Sequence, residues 1–250
     1  MKIFEISLFG ITFGPSYYGL MYALAFIYGF WAIKKTQKYS EVERESLFFY
    51  LFIGVILGGR IGYILFYNLS SYISDPLSVL RVWEGGMSFH GGLIGFAIAT
   101  LMFTKKYKRN FLEVIDDLAL IVPIGLFFGR IGNYINKELL GFPYEGFLAV
   151  ETPEGSFFPS PLVEAFLEGL VIFVILKSVS QKQKFRGQLA SLFLILYGVF
   201  RTFVEIFIRT PDIQIGYYFG FLTQGSILSL IMTIIGFILY KYFYATSLSE

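Results

Sequence analysis

Residues 87–109 read MSFHGGLIGFAIATLMFTKKYKR, an apolar run followed at once by Lys105, Lys106, Lys108 and Arg109. A stretch of this length without Lys, Arg, Asp or Glu can cross a hydrocarbon core as a helix. A basic cluster at its end marks the cytoplasmic side. The same pattern recurs on both sides. Apolar spans are predicted at about 17–33, 48–67, 87–104, 112–131, 161–177, 188–208 and 219–240. Lys34, Lys35, Lys38 and Arg44 follow the first, Lys177, Lys182, Lys184 and Arg186 follow the fifth, and Lys241 closes the last. The opposite connections hold only Lys2, Arg81, Lys137 and Arg209, while Arg60, Arg130 and Arg201 fall inside spans. This asymmetry predicts an N-terminus outside and a C-terminus in the cytoplasm.

Only helices satisfy backbone groups in lipid over such lengths. The expected fold is therefore an all-α integral membrane protein, a seven-transmembrane-helix bundle. Residues 1–250 are expected to form a single transmembrane domain. The longest outer connection, 132–160, contains Pro143, Pro153 and Pro159 and is expected to fold as a small periplasmic cap between spans four and five. Only Lys2 precedes the first span, with its other basic residues behind it, so that span is expected to be retained rather than cleaved as a signal peptide.

Composition agrees. The chain has 250 residues, 56% hydrophobic and 15% charged, with mean hydropathy +0.66. Soluble domains carry about 25% charged residues. The absence of cysteine excludes disulfides, thiolate metal sites and a cysteine nucleophile in this chain, though not a thiol on a substrate. One histidine and no cysteine leave only carboxylates as metal ligands, and no metal cluster or cofactor motif is visible. GxSxG, Walker and GxGxxG patterns are absent, and the short basic loops read as topology signals rather than nucleic-acid sites.

Charge inside a bilayer is costly and marks functional candidates. Arg130, Asn133 and Asn136 are spaced by three, so they can share a helix face, with Glu138 and Gly141 close behind. Guanidinium donors suit phosphate oxygens. The bland alternative is snorkelling by Arg130 with the asparagines as a helix stop. Tyr197, Arg201, Glu205 and Arg209 form a second stripe at i, i+4, i+8 and i+12. A structural ion-pair ladder would explain it, but would leave one of the two lower arginines in surplus. Glu164 and Glu168, four apart in span five, require either arginine partners or a proton.

His90, near the start of span three, can act as a base when neutral, or serve only as a hydrogen-bonded interfacial side chain. Arg60 lies about 10 Å inside the outer end of span two at 1.5 Å per residue. Tyr18, Tyr63 and Tyr67 also have an interfacial-belt explanation. Gly59-Arg60-Ile61-Gly62 and Gly129-Arg130-Ile131-Gly132 repeat a GRIG motif, which either duplication or coincidence would produce.

Together the stretches YGLMY (18–22), GRIGY (59–63) with Tyr67-Asn68, WEGGMSFHGG (83–92), and GRIGN (129–133) with Asn136, Glu138 and Gly141 resemble the bacterial prolipoprotein diacylglyceryl transferases. Tyr197, Arg201, Glu205, Arg209, Pro211 and Asp212 extend the likeness over nearly the whole chain. Two places depart from the family pattern. Phe158-Pro159-Ser160-Pro161-Leu162-Val163-Glu164 stands where the family usually has His-Pro-Ser-Gln-Leu-Tyr-Glu, and Ser226 stands where Gln is frequent.

The resemblance implies transfer of the diacylglyceryl group of phosphatidylglycerol to a lipobox cysteine thiol in the inner membrane. A thioether forms and glycerol phosphate leaves. It further implies His90, Arg130 and Arg201 in catalysis, with Tyr18, Arg60, Tyr63, Tyr67, Asn133, Asn136, Glu138, Gly141, Glu205 and Arg209 around the substrates. Either His90 or a cationic field that lowers the thiol pKa would activate sulfur. An anion conduit is the competing class. It would need polar groups through the inner halves, whereas Leu118–Ile121 and Leu189–Leu196 are largely apolar. An inactive lipid-binding relative is the third possibility.

Overall fold

The computed structural model describes residues 6–8, 11–13, 17–67, 75, 86–209 and 222–249. The described residues are mostly helical and divide into two compact units, 33–115 and 1–32 with 116–250. Among them, the helices at Glu41–Leu65, Gln188–Phe207 and Gly225–Ser247 are long and apolar enough to cross a membrane.

In the unit 33–115, α1 (Tyr17–Thr36) ends and α2 (Glu41–Tyr67) begins. A reciprocal cap starts α2: Ser40 N donates to Glu43 Oε2 at 2.8 Å and Glu43 N to Ser40 Oγ at 3.3 Å. Arg109 forks onto the same carboxylate, Nε to Oε1 at 2.8 Å and Nη2 to Oε2 at 2.9 Å.

Helix α2 packs on α3 (Phe89–Tyr107) through glycine. A Cβ on Gly58 would lie 2.4 Å from Gly91 O, and one on Gly95 only 2.0 Å from Gly54 O. Gly54, Gly58 and Gly62 thus form a small-residue seam against Gly91, Gly95 and Ala99. In lipid, where apolar side chains gain nothing by leaving the solvent, such backbone contact is what joins helices. Gly95→Leu is expected to separate the pair and remove most folded protein from the membrane fraction, as judged by protease resistance. Wild-type levels would show that the seam is not essential.

In the other unit, β1 (Ile6–Leu8) and β2 (Ile11–Phe13) pair antiparallel, a hairpin that nothing in the sequence pattern announced. The span expected at 112–131 is not continuous. It divides into α4 (Phe111–Ala119) and α5 (Val122–Ile135), with a turn at Leu120 and Ile121. Pro123 explains the break, because its ring excludes the carbonyl four residues back, that of Ala119, where α4 stops. The apolar run was unbroken there, so hydropathy alone could not see it. Helix α5 also runs past the expected end to Ile135, carrying Arg130 and Asn133 on its last turns.

The span expected at 161–177 contains α6 (Ser160–Glu164), a π-helical turn over Ala165–Val171, and α7 (Ile172–Ser180). Helices α8 (Gln188–Phe207) and α9 (Gln224–Ser247) pack where Gly198 admits Ser229 and Thr233. Helix α9 continues beyond the expected end at 240, since a helix need not stop where lipid does. Residues 219–221 lie outside the described residues. Between α5 and α6, β3 (Val150–Thr152) and β4 (Gly155–Phe157) form a hairpin. Bridges pair Gly141 with Arg209 and Pro143 with Phe157. Phe142 and Phe158 stack at 5.1 Å.

Candidate active site

The arginines of the two stripes converge on shared carboxylates. Helix α5 supplies Arg130, α6 and its π-turn supply Glu164 and Glu168, and α8 supplies Arg201, Glu205 and, just past its end, Arg209. Arg130 Nε lies 3.0 Å from Glu164 Oε2, and its Nη2 lies 3.2 Å from Glu168 Oε2. Arg201 Nη1 donates to the same Glu164 Oε2 and approaches Glu168 Oε1 at 3.5 Å. Its Nη2 reaches Glu205 Oε1 at 2.5 Å, and Arg209 Nη1 reaches that oxygen at 3.2 Å. Thr223 Oγ1 donates to Glu205 Oε2 at 2.7 Å.

Among the described residues this cluster sets three guanidiniums against three carboxylates. The expectation of a surplus arginine is therefore corrected: it counted only the acid on α8, and Glu164 and Glu168 arrive from another helix. Both acids are 0% exposed and both have arginine partners. Burying this much charge is tolerable only where opposite charges are paired. Each arginine side chain retains 11–15% exposure. π-turns of the kind that carries Glu168 are frequent at functional sites.

A second network adjoins Arg130 on α5. Asn133 Nδ2 donates to the Tyr18 hydroxyl, and that hydroxyl donates to Glu138 Oε2. Asn136 is the C-cap of α5, its N–H donating to Gly132 O at 3.0 Å. Gly141 sits at a close backbone approach, where a Cβ would lie 2.5 Å from Ile208 O. Its N–H donates to Phe158 O at 2.8 Å. Gly141 thus seats the backbone beside Arg209.

The remaining candidates belong to the unit 33–115. Arg60 is 3% exposed and its Nη1 donates to Gly86 O at 3.3 Å. Gly86 has φ +78°, and a Cβ there would strike the Tyr63 ring at 2.6 Å. Ser88 accepts from Gly91 N at 3.2 Å and donates its own N–H to Gly59 O at 2.8 Å, fixing the start of α3. His90 is the second residue of that helix, and Tyr67 the last of α2. The side chains of both, with Asn68, Pro211 and Asp212, lie outside the described residues.

Sequence reasoning saw the acidic pair at 164 and 168 without placing it among the arginines. It missed Thr223, which both caps α9 and holds Glu205, and Gly225, where a Cβ would meet the Glu205 carboxylate at 2.7 Å. Ser160, in the divergent stretch, is buried and donates to Leu139 O at 2.7 Å. An apolar groove of about 400 Å³, lined by residues including Phe147, Leu148, Leu162 and Phe166, borders the helix that carries Glu164.

The family model for prolipoprotein diacylglyceryl transferase matches residues 6–242. A protein of Hydrogenovibrio crunogenus, named phosphatidylglycerol–prolipoprotein diacylglyceryl transferase, is 46% identical, covering 96% of this chain and 95% of its own. Proteins of the same name from Teredinibacter turnerae and Pasteurella multocida are 45% and 46% identical over 98% and 94% of this chain, and 89% and 88% of theirs.

Proposed function

The chain belongs to the prolipoprotein diacylglyceryl transferase family, and from that premise we propose how its residues move a diacylglyceryl group from phosphatidylglycerol to the lipobox cysteine thiol of a prolipoprotein. The observation that carries the reading is the convergence of Arg130 and Arg201 on one oxygen of Glu164. Two guanidiniums from separate helices are thereby held side by side.

The chemistry asks for such a pair. The donor is a phosphodiester with one negative charge, and the nucleophile is a thiolate with another. As the C–S bond forms and the C–O bond to phosphate breaks, the sulfur's charge passes to the leaving glycerol phosphate. Positive groups at the phosphate therefore gain most at the transition state. A guanidinium has five N–H donors, more than these carboxylate contacts employ, so a phosphate can be added without stripping the pairs. Arg209, Asn133, Tyr18 and Glu138 complete the head-group surroundings, Asn136 and Gly141 hold the backbone, and the apolar groove suits a hydrocarbon tail. Arg60, Tyr63 and Tyr67 belong to the outer half of α2, beside the polar group of the lipid.

His90 takes the thiol proton and returns it to the leaving group. A neutral imidazole can accept that proton. His90→Gln is expected to slow transfer by about 10²-fold. Near-native rates across pH would assign thiol activation to the cationic field alone.

We further propose seven spans in a bacterial inner membrane, the N-terminus outside, residues 132–160 as a periplasmic cap, and the site opening toward the outer leaflet. A C-terminal tag should be reachable only from the cytoplasm, and periplasmic labelling would invert this topology. The activity is tested with purified protein, labelled phosphatidylglycerol and a lipobox peptide. Thioether product is expected, and its absence would overturn the assignment.

A further inference from the structure

The two oxygens of Glu164 are treated differently. Oε2 receives both Arg130 and Arg201. Oε1 is buried and has no hydrogen-bond partner among the described residues. The other acids of the cluster use both oxygens: Glu168 meets Arg130 and Arg201, and Glu205 meets two arginines and Thr223. Arg209 Nε is likewise a buried donor without a partner. A buried ionised oxygen without a donor is costly, so one that persists in a site is a place for a ligand's hydrogen.

The nature of that donor is constrained. A third cation beside Oε1 would face Arg130 and Arg201 across a single carboxylate, so an ammonium is repelled. A neutral hydroxyl is not. An anionic lipid carrying a hydroxyl supplies an acceptor for Arg209 Nε and a donor for Glu164 Oε1. Resting on the transferase reading, we propose that Glu164 Oε1 accepts a hydrogen bond from a hydroxyl of the donor's head-group glycerol. Glu164 is then the residue that selects polyol head groups over lipids of equal charge without hydroxyls.

The test compares phosphatidylglycerol with phosphatidyl-1-propanol, which keeps the phosphodiester charge and the three-carbon head but has no hydroxyl. Wild type is expected to favour phosphatidylglycerol at least about tenfold in kcat/KM. Glu164→Gln should lower that preference at least about fivefold, because the charge assistance is gone. Glu164→Asp, which keeps the charge but cannot span the same distances, should do likewise and serves where Glu164→Gln fails to fold. A residue that only positions arginines would slow both lipids equally and leave the preference intact, which overturns the inference. Equal use of both lipids by wild type overturns it while leaving the transferase reading in place. No thioether from either lipid removes both.

Discussion

Arg130→Ala is expected to reduce transfer by about 10²–10³-fold. Arg130 is the α5 contribution to the paired guanidiniums, and nothing else on that helix carries positive charge. The substitution has a second consequence. Glu164 and Glu168 each lose a partner while 0% exposed. Breaking a buried pair from one side costs about 3–5 kcal/mol. The variant should therefore unfold at lower temperature as well as turn over slowly. The two effects separate in Arg130→Ala/Glu168→Gln, where the charge balance is restored. Stability should largely return, while turnover stays low because the phosphate still lacks its cation. Turnover that recovers with stability would mean that Arg130 is only a strut.

Arg201→Lys is the second large effect. Arg201 serves Glu164 and Glu168 through Nη1 and Glu205 through Nη2. An ammonium is a compact point charge and cannot present two separated donors in a fork. Transfer should fall by about 10²-fold despite the conserved charge. The melting temperature should fall too, as three buried carboxylates compete for one ammonium. Near-native turnover by Arg201→Lys would show that net charge, not guanidinium geometry, is what the site requires.

Much of this was legible in sequence, and for a physical reason. Charge inside apolar runs is costly, so Arg60, Arg130, Arg201 and Glu205 stood out as candidates, and helical spacing put Arg201, Glu205 and Arg209 on one stripe. What one helix's spacing cannot give is which residues of other helices meet it. Glu164 and Glu168 therefore looked like a repelling pair, and the cluster's charge looked unbalanced. Apolar runs likewise located the helices without their internal geometry. The span at 112–131 was read as continuous although Pro123 lies within it, and the π-turn at Ala165–Val171 had no sequence mark. Glycine told a similar story. The register of Gly54, Gly58 and Gly62 on Gly91 and Gly95 emerged only from the paired backbones.

The most direct test of the central claim is equilibrium binding of labelled phosphatidylglycerol to purified wild type and to Arg130→Ala/Glu168→Gln, with peptide withheld so that no turnover occurs. Saturable binding by wild type, weakened at least about tenfold in the charge-balanced variant, is the predicted result. Equal affinities would show that the lipid's phosphate is held somewhere other than at the guanidinium pair.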